Sequence, residues 1–428
     1  MHVIEKSMDA LLLVLKKFFI SLLLPLVGFL APTPQVVAPA PVPDAAPQAA
    51  IGEAVGVPLP APAPVPPPAS VADAPGAVNG LAITAIKACL AGITGEVGQC
   101  LDGIFREYFK SHPTSDATAA LRHFEATDLS LRLSCHPVMH AIGRETFRAK
   151  KTIPDSFSAC DQTCHSGCYH GAMERFLKGD AASDDEAGHI SAEELKTRAA
   201  TACNLNQPTR FRFQCLHGLG HALLFFLDYR LEEALAACDV LADAWSRSSC
   251  YGGLFMENAF SATPEKRDLS PIDYHYPCSK LDPKYKNDCY MMQTTRMFEM
   301  NLSVEAMFAE CRKAGGYQHT CMQSIGRDLS NDARISDPRH VTLKCEIGQG
   351  EERRACTRGA AYALLDNTWD GRYAFPFCAA FRDEADAAYC FTISSSYLRT
   401  TFDRSWPEVL DDCREYASRA RLCFTEEH

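Results

Sequence analysis

Histidines placed four residues apart beside cysteines are the groups in this chain best suited to chemistry. His217 and His221 follow Cys215, with Gly218 and Gly220 between them. On a helix, positions i and i+4 lie on one face, so both imidazoles can reach one metal ion. Imidazole is a common ligand of zinc, copper and iron, so this stretch predicts a transition-metal site. The glycines predict a close approach of a neighbouring helix or a substrate.

The same arrangement recurs upstream at nearly the same distance from a cysteine. Three cysteines are each followed by an i, i+4 pair of ligand-type side chains: His136 and His140 after Cys135, His170 and Glu174 after Cys168, and His217 and His221 after Cys215. One such pair is a weak motif, whereas three in matching register predict a shared centre. The predicted ligands are His136, His140, His165, His170, His217 and His221. Glu174 is predicted as a ligand or as the general base of a metalloenzyme.

Cysteine spacing predicts the architecture that holds these pairs. Eight pairs of cysteines, each separated by 10 to 12 residues, are predicted to form disulfides: Cys89 with Cys100, Cys203 with Cys215, Cys238 with Cys250, Cys278 with Cys289, Cys311 with Cys321, Cys345 with Cys356, Cys378 with Cys390, and Cys413 with Cys423. Together with Cys135 and Cys168, the second cysteines recur roughly every 34 residues, a period typical of two-helix repeats.

A disulfide within each pair requires the chain to turn back on itself. Eleven residues of unbroken helix would separate the two Cα atoms by ~16 Å, whereas a disulfide spans at most about 7 Å. Each repeat is therefore predicted as helix, turn and helix, with one staple near the turn. The expected fold is all-α, an α/α solenoid of about ten two-helix repeats stapled by disulfides.

Four cysteines lie outside the regular pairs. Cys135, Cys160, Cys164 and Cys168 allow three connectivities. The repeat pattern favours a bond between Cys160 and Cys168, which leaves Cys135 to pair with Cys164. A thiolate ligand or a redox pair beside the histidines is the alternative interpretation.

The period and the paired cysteines resemble those of disulfide-stapled Sel1-like and tetratricopeptide repeat proteins. The resemblance covers residue 78 to the C-terminus and concerns architecture alone. It implies a curved helical array with a binding face.

The N-terminal region predicts the compartment. Lys16 and Lys17 precede an apolar run over residues 18–31, so residues 1–31 are interpreted as a signal peptide or an N-terminal membrane anchor. Residues 32–76 are rich in proline and alanine and are predicted to form an extended linker. The repeat domain is expected over 78–428, with a histidine-rich first half at about 120–230. Twenty cysteines favour an oxidising location, either periplasmic or secreted.

The net charge and the side chains of the predicted groove restrict the classes of binding partner. A net charge of -11 argues against nucleic acid, and membrane contact is expected only through the N-terminal segment. Later repeats replace the histidines with other side chains, among them Arg327 and Arg358, which suit an anion. Glu257 and Arg296 lie seven residues after Cys250 and Cys289, one position further than His221 lies from Cys215. The predicted function is an extracytoplasmic metal-binding protein, with a metalloenzyme as one form of it. The alternative is a non-enzymatic scaffold, and in both cases a small molecule or peptide occupies the groove.

Overall fold

Every regular element is helical in the part of the chain that the computed structural model describes, namely residues 83–92, 97–128, 131, 134–179, 191–203, 208–260 and 264–424. The predicted all-α class is therefore confirmed. The N-terminal segment (1–31), the linker (32–76) and residues 180–190 lie outside the described residues.

The described residues contain nineteen α-helices, ten in the first half of the described chain and nine in the second half. The first half contains α1 (Ile83–Leu90), α2 (Val97–Tyr108), α3 (Thr114–Thr127), α4 (Cys135–Lys150), α5 (Ile153–Ala159), α6 (Thr163–Lys178), α7 (Ala192–Ala202), α8 (Thr209–Phe226), α9 (Leu231–Cys238) and α10 (Ala244–Phe260). The second half contains α11 (Pro283–Tyr290), α12 (Thr294–Glu299), α13 (Val304–Cys311), α14 (Gln318–Ile335), α15 (Arg339–Cys345), α16 (Glu351–Thr368), α17 (Ala374–Ala379), α18 (Glu384–Thr401) and α19 (Trp406–Tyr416).

All eight disulfides predicted from the regular spacing are present. Cys89 bonds Cys100, Cys203 bonds Cys215, Cys238 bonds Cys250, Cys278 bonds Cys289, Cys311 bonds Cys321, Cys345 bonds Cys356, Cys378 bonds Cys390, and Cys413 bonds Cys423. Their Cα–Cα distances run from 5.2 to 6.4 Å. The chain therefore turns back within each pair, as the spacing argument predicted.

The disulfides typically staple a short helix to the longer helix that follows it. Cys238, for example, is the last residue of α9, and its partner Cys250 lies within α10. The four irregular cysteines pair as the repeat pattern favoured, Cys160 with Cys168 and Cys135 with Cys164. No cysteine of the described residues is free, so the thiolate alternative is wrong for this structure.

Glycines let the longer helices pack backbone against backbone. A Cβ atom on Gly171 of α6 would lie 1.9 Å from the His140 carbonyl oxygen of α4. A Cβ on Gly253 of α10 would lie 1.8 Å from the His217 carbonyl oxygen of α8. Helices α14 and α16 repeat this close approach at their own glycines. Any side chain at these positions would force the helices apart.

Contacts also join helices that are far apart in sequence. The Tyr169 ring of α6 stacks on Trp369 with centroids 6.0 Å apart, and the Gln162 amide donates to the Thr368 carbonyl at 3.1 Å. Solenoid repeats contact only their sequence neighbours, so an open solenoid does not account for these contacts. Because α6 meets the end of α16, helices from α2 to α18 line one common cavity. None of the described helices combines the length and apolar composition of a membrane span.

Candidate metal centre

Three adjacent long helices carry the histidine pairs. Close packing of α4 on α6, and of α6 on α8, directs the side chains of all three helices to one place. Pro137 lies in the first turn of α4, where its missing N–H costs no helical hydrogen bond. His140, His170, His217 and His221 are all buried, with 2 to 8% of their surface exposed.

Five of the six predicted histidines form one cluster. Among His136, His140, His170 and His221, every pair of ring centroids lies 4.5 to 6.1 Å apart. His217 joins at 5.1 Å from both His170 and His221. Two imidazoles on one tetrahedral ion, with metal–nitrogen bonds of about 2.0–2.1 Å, have ring centres roughly 5 Å apart. The cluster therefore has the spacing of ligands that share an ion.

Hydrogen bonds fix which ring nitrogen faces the middle of the cluster. The Nδ1 atom of His136 lies 2.8 Å from the Cys164 carbonyl oxygen, and that of His140 lies 2.5 Å from Glu174 Oε1. The Nδ1 atom of His221 lies 2.9 Å from Glu257 Oε2. All three partners are acceptors, so each Nδ1 carries the proton and each Nε2 presents a lone pair. One ligand nitrogen from each of His136, His170 and His221 lies within 4.8 Å of the other two.

The other two imidazoles are held through a different nitrogen. His170 Nε2 donates to Gln214 Oε1 at 3.1 Å, which leaves His170 Nδ1 buried without a hydrogen-bond partner. The His217 ring bonds the Ser249 backbone, and its Nδ1 is likewise buried and unpartnered. Unsatisfied buried nitrogens are rare in native proteins, and a ligand or ion is a common reason for them.

Carboxylates surround the cluster without entering it. Glu174 Oε1 accepts from His140, and its Oε2 lies 2.6 Å from Arg144, which also pairs with Asp102 at 2.8 Å. Burial raises the pKa of Glu174, but its interactions with His140 and Arg144 lower that pKa more, so Glu174 stays ionised. Both oxygens of Glu174 are engaged, an arrangement in which a carboxylate orients its histidine partner; its role as ligand or general base stays a prediction.

Glu257 of α10 accepts a hydrogen bond from His221, as Glu174 does from His140. Its Oε2 accepts from His221 Nδ1, and its Oε1 accepts from the Tyr229 hydroxyl at 2.6 Å. Carboxylate–histidine pairs of this kind orient metal ligands and raise their basicity. In the sequence, Glu257 lies seven residues after Cys250, one position further than Glu174 and His221 lie from Cys168 and Cys215. That spacing alone assigned Glu257 no role.

Burial and mutual repulsion keep His136, His170 and His217 neutral. The pKa values of His136, His170 and His217 lie well below 6.5, first because burial disfavours the charged form and then because neighbouring histidines repel it. Neutral imidazole is the form that binds a metal ion.

His165 lies at the edge of the cluster. Its ring centroid is 6.4 Å from that of His136, and its side chain hydrogen-bonds Asn331 of α14. It belongs to three consecutive residues, 164–166, that have left-handed backbone angles.

The cysteines support the site without supplying ligands. Cys135 and Cys164 come close to Glu125, but their sulfurs are bonded to each other and are not metal ligands. The regular pairs stand back from the cavity wall among the described residues, which gives them a structural role. Neither cysteine of any regular pair is among the described residues that line the cavity. The second cysteines of these pairs are Cys100, Cys215, Cys250, Cys289, Cys321, Cys356, Cys390 and Cys423.

The cluster faces a cavity of about 1670 Å³. Its described lining includes all six predicted histidines, Glu174 and Arg327. Arg358, the other predicted anion contact, instead donates to the Tyr389 hydroxyl at 2.8 Å.

Comparisons with protein-family models, curated proteins and solved structures found no match to this chain.

Proposed function

We propose that this protein is an extracytoplasmic metal-binding protein whose histidine cluster holds one transition-metal ion at the wall of a substrate-sized cavity. Ten disulfides indicate an oxidising compartment outside the cytoplasm. The Sel1-like resemblance stays an expectation about architecture and adds no chemistry to this proposal.

One observation carries the proposal. His136 Nε2 and His140 Nε2 lie 2.9 Å apart, although the Nδ1 atom of each ring is held by an acceptor. Two lone pairs at that distance repel each other unless a cation lies between or beside them. The buried Nε2 of His221 has no hydrogen-bond partner among the described residues and adds a third lone pair of the same kind. A proton could satisfy one pair of nitrogens, whereas a metal ion satisfies all of them together.

The donor set selects the class of ion. Ligands that are all imidazole suit zinc, copper and iron, and they disfavour calcium and magnesium, which prefer oxygen. Affinity at a fixed nitrogen site generally peaks at copper(II), so copper and zinc are the first candidates. The two orienting carboxylates lie outside the cluster and partly balance the charge of the ion.

The cavity lets the proposed centre act on a ligand. A bound ion with a position open to the cavity acts as a Lewis acid or lowers the pKa of a bound water. His217, whose Nδ1 has no partner among the described residues, lies beside His170 and His221 and would supply a further nitrogen ligand. Glu174 and Glu257 fix the orientation and tautomer of their histidine partners. Metal-dependent catalysis in the cavity is the form of the function that this arrangement favours.

Elemental analysis tests the proposal. Full-length protein, purified without a histidine tag, is dialysed and analysed for zinc, copper and iron. We expect close to one equivalent of one metal, and a loss of most of it in His136→Ala and His221→Ala. His340→Ala is the matched control, because His340 is exposed on α15, outside the cluster. Less than a tenth of an equivalent in the wild type, after incubation with each metal in turn, would falsify the metal centre.

A further inference from the structure

A second set of polar side chains faces the same cavity from α14. Gln323, Arg327, Asn331 and Arg334 all line it, and their spacing places them on one face of that helix. Arg334 forms an ion pair with Glu125. Arg327 lines the same cavity as the histidine cluster.

Arg327 lines the cavity and keeps one N–H group unpartnered among the described residues. Its Nη2 lies 2.6 Å from Asp328 and 2.9 Å from the Thr295 hydroxyl. Its Nε is buried and has no hydrogen-bond partner among the described residues. Asp328 also accepts from Thr294 and Thr295, so its negative charge is shared among three side chains. A guanidinium with an orphaned N–H is a ready site for an oxygen anion.

Aromatic side chains surround the same space. Phe225, Trp245 and Phe260 line the cavity and are 52%, 40% and 54% exposed. The Phe260 ring lies 5.5 Å from the Arg327 guanidinium, so the apolar and cationic surfaces adjoin. Large exposed aromatic side chains beside a cavity are typical of ligand-binding sites.

We infer that the cavity binds a small amphipathic carboxylate, with the carboxylate on Arg327 and an aromatic or aliphatic body against Phe225, Trp245 and Phe260. This inference deepens the proposed function and rests on it, since it names the ligand class that would be held beside the histidine cluster. The residues involved are binding residues and none of them is a proposed metal ligand.

Charge favours a carboxylate over a phosphate. Arg327 pairs with Asp328, whose negative charge two threonine hydroxyls also share, so it offers at most one positive charge to a ligand. Other basic side chains in the wall are paired with carboxylates as well. Arg144 pairs with Asp102 and Glu174, and Lys266 pairs with Asp228. Acidic side chains outnumber basic ones in the lining, so a dianion would lack a second cation. A monoanion therefore matches the Nε of Arg327, which has no partner among the described residues.

Calorimetry with three matched probes tests the ligand class. Full-length protein is titrated with phenylbutyrate, phenylbutanol and phenylbutylamine, which share a body and differ in their head group. We expect phenylbutyrate to bind at least about ten-fold more tightly than the alcohol, because hydrogen bonds to charged groups are the stronger ones. The amine is expected to bind more weakly still. Equal affinities, or no phenylbutyrate binding at millimolar concentration, would overturn the inference.

Variants locate the site. Arg327→Gln should abolish the preference for the acid over the alcohol, and Arg327→Lys, which keeps the charge and the fold, should reduce it. Phe260→Ala should weaken both probes by a similar factor. Arg358→Gln is the matched control and should leave all affinities unchanged, since Arg358 bonds Tyr389. An acid preference that survives in both Arg327 variants would contradict the assignment.

Repeating the titration on chelator-treated protein separates this inference from the metal proposal. Acid binding that persists without metal supports the anion site even where elemental analysis fails. A bound metal without any acid preference leaves the metal centre standing and rejects the anion site.

Discussion

Glu257→Gln isolates the contribution of a side chain that touches the proposed centre only through a histidine. The wild-type carboxylate accepts from His221 Nδ1 at 2.9 Å and from the Tyr229 hydroxyl at 2.6 Å. A glutamine has one acceptor oxygen, so it satisfies one of these donors and turns an N–H group towards the other. The His221 ring then loses its fixed tautomer, its orientation or the basicity that the negative charge provides.

The expected loss follows from that geometry. Removing a carboxylate that orients a metal ligand typically lowers metal affinity by about 10- to 100-fold, or roughly 1.4–2.7 kcal/mol. Tyr229→Phe leaves the hydrogen bond between His221 and Glu257 in place, so its effect should be smaller, below about ten-fold.

Competition against a chromophoric chelator at neutral pH measures the metal dissociation constant of each variant. Glu299→Gln is the matched control, because Glu299 also lines the cavity but pairs with Arg267 and Arg296. Far-ultraviolet circular dichroism checks that each variant folds. An unchanged dissociation constant in Glu257→Gln would refute the orienting role, as would an equal loss in Glu299→Gln.

Three further outcomes are expected. Gly171→Ala should destabilise the protein by about 1–3 kcal/mol in urea unfolding, because the new Cβ meets the His140 carbonyl oxygen; Gly103→Ala, where nothing lies within 4 Å, should be neutral or stabilising. Asp366→Asn should stabilise the protein above pH ~7, since burial raises the pKa of Asp366 to about 7 and ionising it costs on the order of 4 kcal/mol. That gain should vanish below the ordinary pKa of 3.8, and an equal gain at both pH values would contradict it. Metal-free protein should lose stability as pH falls below 6.5, because the unfolded chain then binds protons that buried His136 and His170 do not; a flat profile in this range would contradict the neutral cluster.

The helical hairpins and their staples could be predicted because they depend on local constraints. Cysteines 10 to 12 residues apart can bond only if the chain turns between them, and the recurrence of that spacing repeats the same unit along the chain. The i, i+4 rule likewise placed His217 and His221 on one face of α8 before any packing was known.

The packing of α6 against the end of α16 could not be predicted from these local rules. It depends on contacts such as Tyr169 on Trp369, which join residues far apart along the chain and leave no periodic mark in the sequence. The resemblance to open solenoids pointed to a groove, whereas the meeting of α6 and α16 makes a cavity.

Residue types and spacing settled which side chains are candidates for a metal site and which helices carry them, because helical periodicity and disulfide reach are short-range rules. The roles within the site were decided only when the helices packed. Both oxygens of Glu174 are engaged because Arg144 and His140 pack against it, and Glu257 reaches His221 because α10 lies against α8. Such roles depend on distances between helices, which are set by backbone contact at glycines and not by the order of residues along any one helix.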